Sequence, residues 1–274
     1  IKNVKWLKVN LLNSEQVSKS LKGINIVIQA AATTSGSKDI IHKPYLHVTD
    51  NAVMNSIILR ECHSQKIDNF IFFSCTVMLP SLNRAVKEND FDLNKQLNPK
   101  YFGVAWTKIY IEKMCQFYSN INSSKYTIIR HSNVYGPNDK FDLEKSHVFG
   151  ATITKVMSNK DGKILVWGDG KESRDIIYIS DLVNFVDKVI NNQKNNFRIY
   201  NCGYGKGIKI KELIKKIITH SNKNIKISYD LSQPSIYSNI YLNCKLAKEE
   251  LGWKPKVTID SGIKKTIRWW KKNY

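Results

Sequence analysis

The chain has 274 residues and a mass of 31.6 kDa, with 43 Lys+Arg against 23 Asp+Glu and a formal net charge of +20. That length buries a full core; the lysines are scattered, as a compositional bias produces, and form no run interleaved with stacking aromatics, which argues against nucleic acid, while a phosphorylated small molecule would use the charge more economically. No apolar run reaches the ~18–20 residues that cross a bilayer, and the five cysteines show no Cys-x-x-Cys and no zinc-like His spacing, so neither a membrane nor a metal is expected. Taken in order, Lys5–Val9, Ile24–Gln29, Phe70–Phe73 and Tyr126–Ile129 read as buried strands, being β-branched or aromatic and bounded by polar turns. Between them Ser14–Leu21, Thr49–Ser64, Val104–Tyr118 and Ser146–Met157 show helical spacing. Such alternation predicts an α/β fold: a doubly wound parallel sheet with right-handed crossovers, which places ligands beyond the carboxyl ends of the strands.

After residue 137 the pattern loosens. Ile164–Trp167 and Asp175–Ile179 read as strands, Leu182–Ile190 and Ile210–Ile218 as helices, and Leu246–Trp253 as a short helix ending in Gly-Trp. The expected division is a main sheet domain over 1–137 and a smaller α/β substrate-binding region over 138–274, with segments of the latter returning to the sheet. Cys62, Cys75, Cys115, Cys202 and Cys244 form an odd, scattered set, as free thiols in a reducing compartment do, so a cytoplasmic location is expected. The chain opens on Ile1 and reads as a fragment or a processed product.

Several motifs carry chemistry. Ser132-Asn133-Val134-Tyr135-Gly136-Pro137-Asn138-Asp139-Lys140-Phe141 runs on to Ser146-His147-Val148. Ala30-Ala31-Ala32 follows a strand, where small side chains let backbone approach a dinucleotide, and Asn51 opens the next helix. Phe73-Ser74-Cys75-Thr76 ends another strand, and Lys113-Met114-Cys115 follows Lys108. From Asn3 to Trp270 these segments resemble the nucleotide-sugar epimerases and dehydratases of the extended short-chain dehydrogenase/reductases, especially the GDP-L-fucose synthase branch. The resemblance implies a Rossmann-like domain, NAD or NADP as cofactor, and a GDP-linked keto-sugar as the nucleotide-diphosphate-sugar substrate. It implies a homodimer formed through Thr49–Ser64 and Val104–Tyr118. It gives Lys108 to the nicotinamide ribose, Asn51 and Ala30–Ala32 with Ser74 to the cofactor side, and Asn10-Leu11 to the adenine side. His147 becomes a proton-transfer residue, and Asn133, Lys155 and Arg174 surround the substrate; a guanidinium suits phosphate best.

The departures from that pattern are as informative. Where these enzymes carry Tyr-x-x-x-Lys, this sequence reads Val104-x-x-x-Lys108, and valine has no proton to give. Cys75 takes the place of a serine or threonine, Val77 that of a cysteine and Leu79 that of a tyrosine. Cys75 then reads either as a thiol displaced by two positions or as an inert buried one. Thr76 and Tyr101 are the nearest alternative proton donors, Tyr101 only if the loop before the helix folds back. No Gly-x-x-Gly-x-x-Gly occurs, so the first strand, its phosphate-binding turn and its helix are expected to be missing, with poor NAD(P) binding as the consequence. Two functions follow: an NAD(P)-dependent epimerase/reductase of a GDP-linked 4-keto-sugar, or a catalytically silent relative that binds a nucleotide sugar or a partner subunit.

Overall fold

The computed structural model describes residues 3–34, 43–143, 146–232 and 239–274. Its main sheet is built from β1 (Ile26–Gln29), β2 (Asn69–Ser74), β3 (Lys125–His131) and, from the later half of the chain, β7 (Phe197–Cys202). All are parallel in the order β1-β2-β3-β7, with Phe70 opposite Tyr126 and Ile128 opposite Ile199. Alternate side chains of a strand face opposite ways, and both faces here are covered. Phe70, Phe72 and Ile128 pack with Val17 of α1 (Ser14–Ser20), Met54 and Ile58 of α2 (Thr49–Ser64), and Ile111 of α3 (Phe102–Ile121). Ile71, Ile129 and Tyr200 pack on the other face against Phe185 of α5 (Ile179–Asn192) and Leu251 of α7 (Lys245–Leu251). The expected doubly wound parallel architecture is present.

The remaining elements form a second body of core. β4 (Asn133–Tyr135) pairs in parallel with β6 (Ser173–Tyr178), which also pairs with β8 (Gly207–Lys209) and β10 (Asn239–Ile240). β5 (Lys163–Trp167) pairs with β9 (Lys226–Asp230). Around them pack α4 (Val148–Met157), α6 (Ile210–Ser221) and α8 (Ile259–Asn273), through residues such as Phe149, Ile153, Leu213 and Ile263. β3 passes almost directly into β4, which joins the two bodies and opens a cleft at the carboxyl ends of β2 and β3.

Some boundaries differ from the sequence expectation. Lys5–Val9 is not a strand: Trp6 and Leu7 are exposed, and no strand among the described residues pairs with this segment or with the free edge of β1. Apolar alternation makes a strand only where a neighbouring backbone accepts its hydrogen bonds. Helix α3 starts two residues early because Asn98 accepts the Lys100 N–H at 3.0 Å and Pro99 opens a 3-10 turn leading into it. Helix α5 starts at Ile179 instead of Leu182, since Tyr178 ends β6 and is the N-cap with no loop between. The Gly-Trp stop of α7 is as read: Gly252 takes φ +65°, and Trp253 is buried with its indole N–H donated to Asp181 O at 3.1 Å.

Candidate active site

The cleft has a volume of about 820 Å³, and its wall includes Cys75, Thr76, Tyr101, His131, His147 and Arg174. Cys75 and Thr76 are the first residues beyond β2. Burial pushes the Cys75 thiol up, opposed by Lys108 and the Val77 N–H, so the thiol holds its proton. Tyr101 closes the 3-10 turn Pro99–Tyr101, its own N–H bonded to Asn98 O at 2.9 Å. That turn is the fold-back that the sequence required, and it brings the phenol to the cleft. Burial raises its pKa against the pull of the Arg174 guanidinium, so it too holds its proton at neutral pH.

His147 is the N-cap of α4. Burial lowers its pKa, opposed by Asp139, with Lys140 lowering it further. Gly150 in the first turn is needed for that arrangement, because a Cβ there would collide with the Lys140 carbonyl. In the same lining, Arg174 of β6 donates to Ser173 O at 3.0 Å and Lys155 of α4 to Leu165 O at 3.0 Å. Asn133 also lines the cleft, its amide donated to Asp175 O at 3.2 Å.

The residues read as cofactor-side lie outside this lining. Asn51 is buried and clamps the loop after β1: its carbonyl oxygen accepts the Thr33 N–H at 3.0 Å, and its amide donates to Thr33 O at 2.9 Å. Ala30, Ala31 and Ala32 form an exposed shelf on that loop. Lys108 reaches Phe73 O at 2.9 Å with its ammonium 4.6 Å from the centre of the Phe72 ring, and burial lowers its pKa. Ser74 is fully buried and gives its hydroxyl to Glu112 at 2.5 Å. Asn10 accepts the Leu12 N–H at 3.0 Å in the turn before α1, and Leu11 packs on the α1/α2 core.

Sequence reading missed His131, the last residue of β3, which lines the same cleft as Cys75 and His147. Its signal was available: a histidine directly before the Ser132-Asn133 signature. Asp139 was quoted only as part of a motif, yet it lines the same cleft. Among the described residues no group of three or more His, Cys, Asp or Glu could hold a metal ion, and no helix is long and apolar enough to cross a membrane.

A parallel α/β sheet covered on both faces, with a cleft beyond its strand ends lined by titratable side chains and a guanidinium, defines a Rossmann-like fold. The chain belongs to the NAD dependent epimerase/dehydratase family, whose model matches residues 1–203. It is 28% identical over 268 residues to the GDP-L-colitose synthase of Yersinia pseudotuberculosis, covering 96% of this chain and 87% of the relative. It is 26% identical to a GDP-L-fucose synthase of Sinorhizobium fredii, covering 94% and 83%. In fold it is similar to the UDP-glucose 4-epimerase of Thermotoga maritima solved with UDP-glucose, with a TM-score of 0.88 at 22% identity, covering 100% of this chain and 86% of that one.

The residues present fit a nicotinamide dinucleotide only in part. The alanine shelf beside Asn51 leaves backbone open to a ligand, and the Lys108 ammonium is already bonded to Phe73 O. For the pyrophosphate these residues offer no glycine-rich turn, and among the described residues no strand pairs with the outer edge of β1.

Proposed function

We propose that this chain acts on a nucleotide-diphosphate sugar with a ketone at C4, a GDP-sugar, and moves protons at the carbons beside that ketone. It does so as an NAD(P)-dependent epimerase/reductase with a remodelled proton pathway. The observation that carries this reading is the convergence of His147, Tyr101, Cys75 and Thr76 on one cleft that Arg174 and Lys155 make cationic. A hydrogen next to a ketone is acidic because its electron pair can move onto the ketone oxygen. The site must therefore supply a base at carbon and hydrogen-bond donors at oxygen. His147, held neutral by burial, suits the first task; the Tyr101 and Thr76 hydroxyls suit the second. Arg174 suits a phosphate oxygen. The GDP-L-colitose and GDP-L-fucose synthases among the relatives support the choice of a GDP-sugar. A bound nicotinamide would supply hydride for reduction at C4.

The test is hydrogen exchange. Incubated in D2O with GDP-4-keto-6-deoxymannose, the chain is expected to wash deuterium into the positions flanking C4, read by NMR. Tight binding with no exchange would instead support the silent relative, the reading favoured by Val104, by Asn10 and by Leu79, which lies buried in the core. The same chain is expected to bind NADPH weakly, for want of a pyrophosphate cradle; micromolar affinity by calorimetry would contradict this.

The reading includes a homodimer. Phe102, Trp106, Tyr110, Phe117 and Ile121 leave an exposed apolar stripe along α3, next to Val53 of α2. Spacings of four and seven keep such residues on one helix face. Sedimentation as a monomer at micromolar concentration would remove that part of the proposal. A cytoplasmic location suits the free thiols and is checked by fractionation.

A further inference from the structure

His131 makes two contacts that fix its chemistry. Its Nδ1 lies 2.8 Å from the backbone oxygen of Ser132. A carbonyl oxygen only accepts, so Nδ1 carries the hydrogen and Nε2 of the neutral ring has a bare lone pair. The ring is held edge-on to Phe73, with centroids 5.8 Å apart at 75°. β2 and β3 pair in parallel with Ser74 opposite Arg130, so the next residues, Cys75 and His131, are neighbours whose side chains leave the sheet on the same side. Both line the cleft, as does His147.

We propose that His131 is a further proton-transfer residue of this cleft, its bare Nε2 taking the hydrogen from a carbon beside the sugar ketone. The proposal rests on the function given above. The C–H bond breaks and its pair forms a C=C bond. The carbonyl π pair moves to the ketone oxygen, where the Thr76 and Tyr101 hydroxyls receive the charge, and the proton forms an N–H bond on Nε2. The imidazolium then returns a proton to the carbon. Solvent deuterium enters while the imidazolium exchanges with water. The titratable groups that act on the ring are Lys108 from α3 and His147 at the start of α4, and Cys75 and Tyr101 line the same cleft. Burial, first, pushes its pKa down to about 4, opposed by the Ser132 hydrogen bond and helped by the Lys108 charge, so it stands ready as a neutral acceptor. The diphosphate and the developing enolate bring negative charge that offsets the Lys108 ammonium and strengthens the base when substrate is bound.

Two measurements decide the matter. In the free protein, nitrogen-15 NMR is expected to show His131 as the Nδ1–H tautomer, uncharged at pH 6; an Nε2–H tautomer or a charged ring there overturns the proposal. With the GDP-linked 4-keto sugar in D2O, His131→Asn keeps a donor for Ser132 O but removes the base. It is expected to lose ~10²–10⁴-fold of the exchange rate at one or both carbons while nucleotide affinity is unchanged. Exchange at the wild-type rate in this variant, with the wild type active, overturns the role of His131 alone. A wild type that binds the sugar nucleotide and exchanges nothing overturns the function itself, and this role with it.

Discussion

Replacing Tyr101 with phenylalanine is expected to slow hydrogen exchange at both carbons beside the ketone by the same factor, about 10²–10³-fold, the usual loss on removing one donor from a developing oxyanion. The equality is the diagnostic part. Abstraction at either carbon sends charge to the one ketone oxygen, so a donor on that oxygen affects both rates alike. A base such as His147 or His131 serves whichever carbon it reaches. Tyr101 has the position for this role, in the cleft wall beside Cys75 and Thr76, and the protonation state, because burial outweighs Arg174 in setting its pKa above the ordinary tyrosine value. The sign of the pH dependence follows. A raised phenol pKa keeps the donor protonated through neutrality, so Tyr101 gives no activity change below pH ~9. The depressed pKa of His147 keeps its ring neutral to more acidic pH than an exposed histidine, so exchange should persist below pH ~6.5 and fall only as that ring charges. Site-resolved NMR of exchange across pH 4–9 checks both limbs. Unequal losses in Tyr101→Phe would place the phenol at carbon, and no loss would give the oxygen to Thr76 alone.

The legibility of this molecule was uneven for physical reasons. β2 and β3 are buried on both faces, so Phe70–Phe73 and Tyr126–Ile129 read as apolar runs with β-branched and aromatic content. β7 and β9 were missed because partly exposed strands such as Phe-Arg-Ile-Tyr-Asn-Cys and Lys-Ile-Ser-Tyr-Asp have no strong period, and pairing with β3 and β5 decides them. Lys5–Val9 failed for the opposite reason, a good pattern with no partner strand. At the site, the signature from Ser132 to Val148 located Asn133 and His147 because their backbone segments are adjacent in sequence. The meeting of Tyr101 with Arg174 joins a 3-10 turn to a strand of the other half, and no local pattern encodes that distance. His131 went unread because its role depends on a tautomer, which only the position of the Ser132 carbonyl fixes.

The largest effect on stability is expected beneath this site, at Glu112. Its carboxylate, 5% exposed in its side chain, holds the 2%-exposed Arg130 in a two-point grip, Nη2 to Oε2 at 2.6 Å and Nε to Oε1 at 3.1 Å. The same carboxylate accepts the Ser74 hydroxyl, and Arg130 continues to Glu88 O at 2.9 Å and over the Phe91 ring at 5.4 Å. Glu112 stands one helical turn beyond Lys108, so the network ties α3 to the ends of β2 and β3, from which Cys75 and His131 reach the cleft. Glu112→Gln leaves a guanidinium buried without its counter-charge, and breaking a buried pair from one side costs about 3–5 kcal/mol. That is a large part of the ~5–15 kcal/mol that holds a typical domain together. Replacing both partners, Glu112→Met with Arg130→Met, removes the two desolvation costs together and should return stability to within about 1–2 kcal/mol of the parent. The pair thus separates two roles of the network. If it only supports the fold, the double variant recovers exchange activity along with its unfolding midpoint in urea. If it also positions the Ser74-Cys75-Thr76 strand end, stability returns but exchange stays slow with nucleotide affinity intact. The second result is expected, because the Ser74 hydroxyl then has no carboxylate to hold it and the residues that follow lose their anchor.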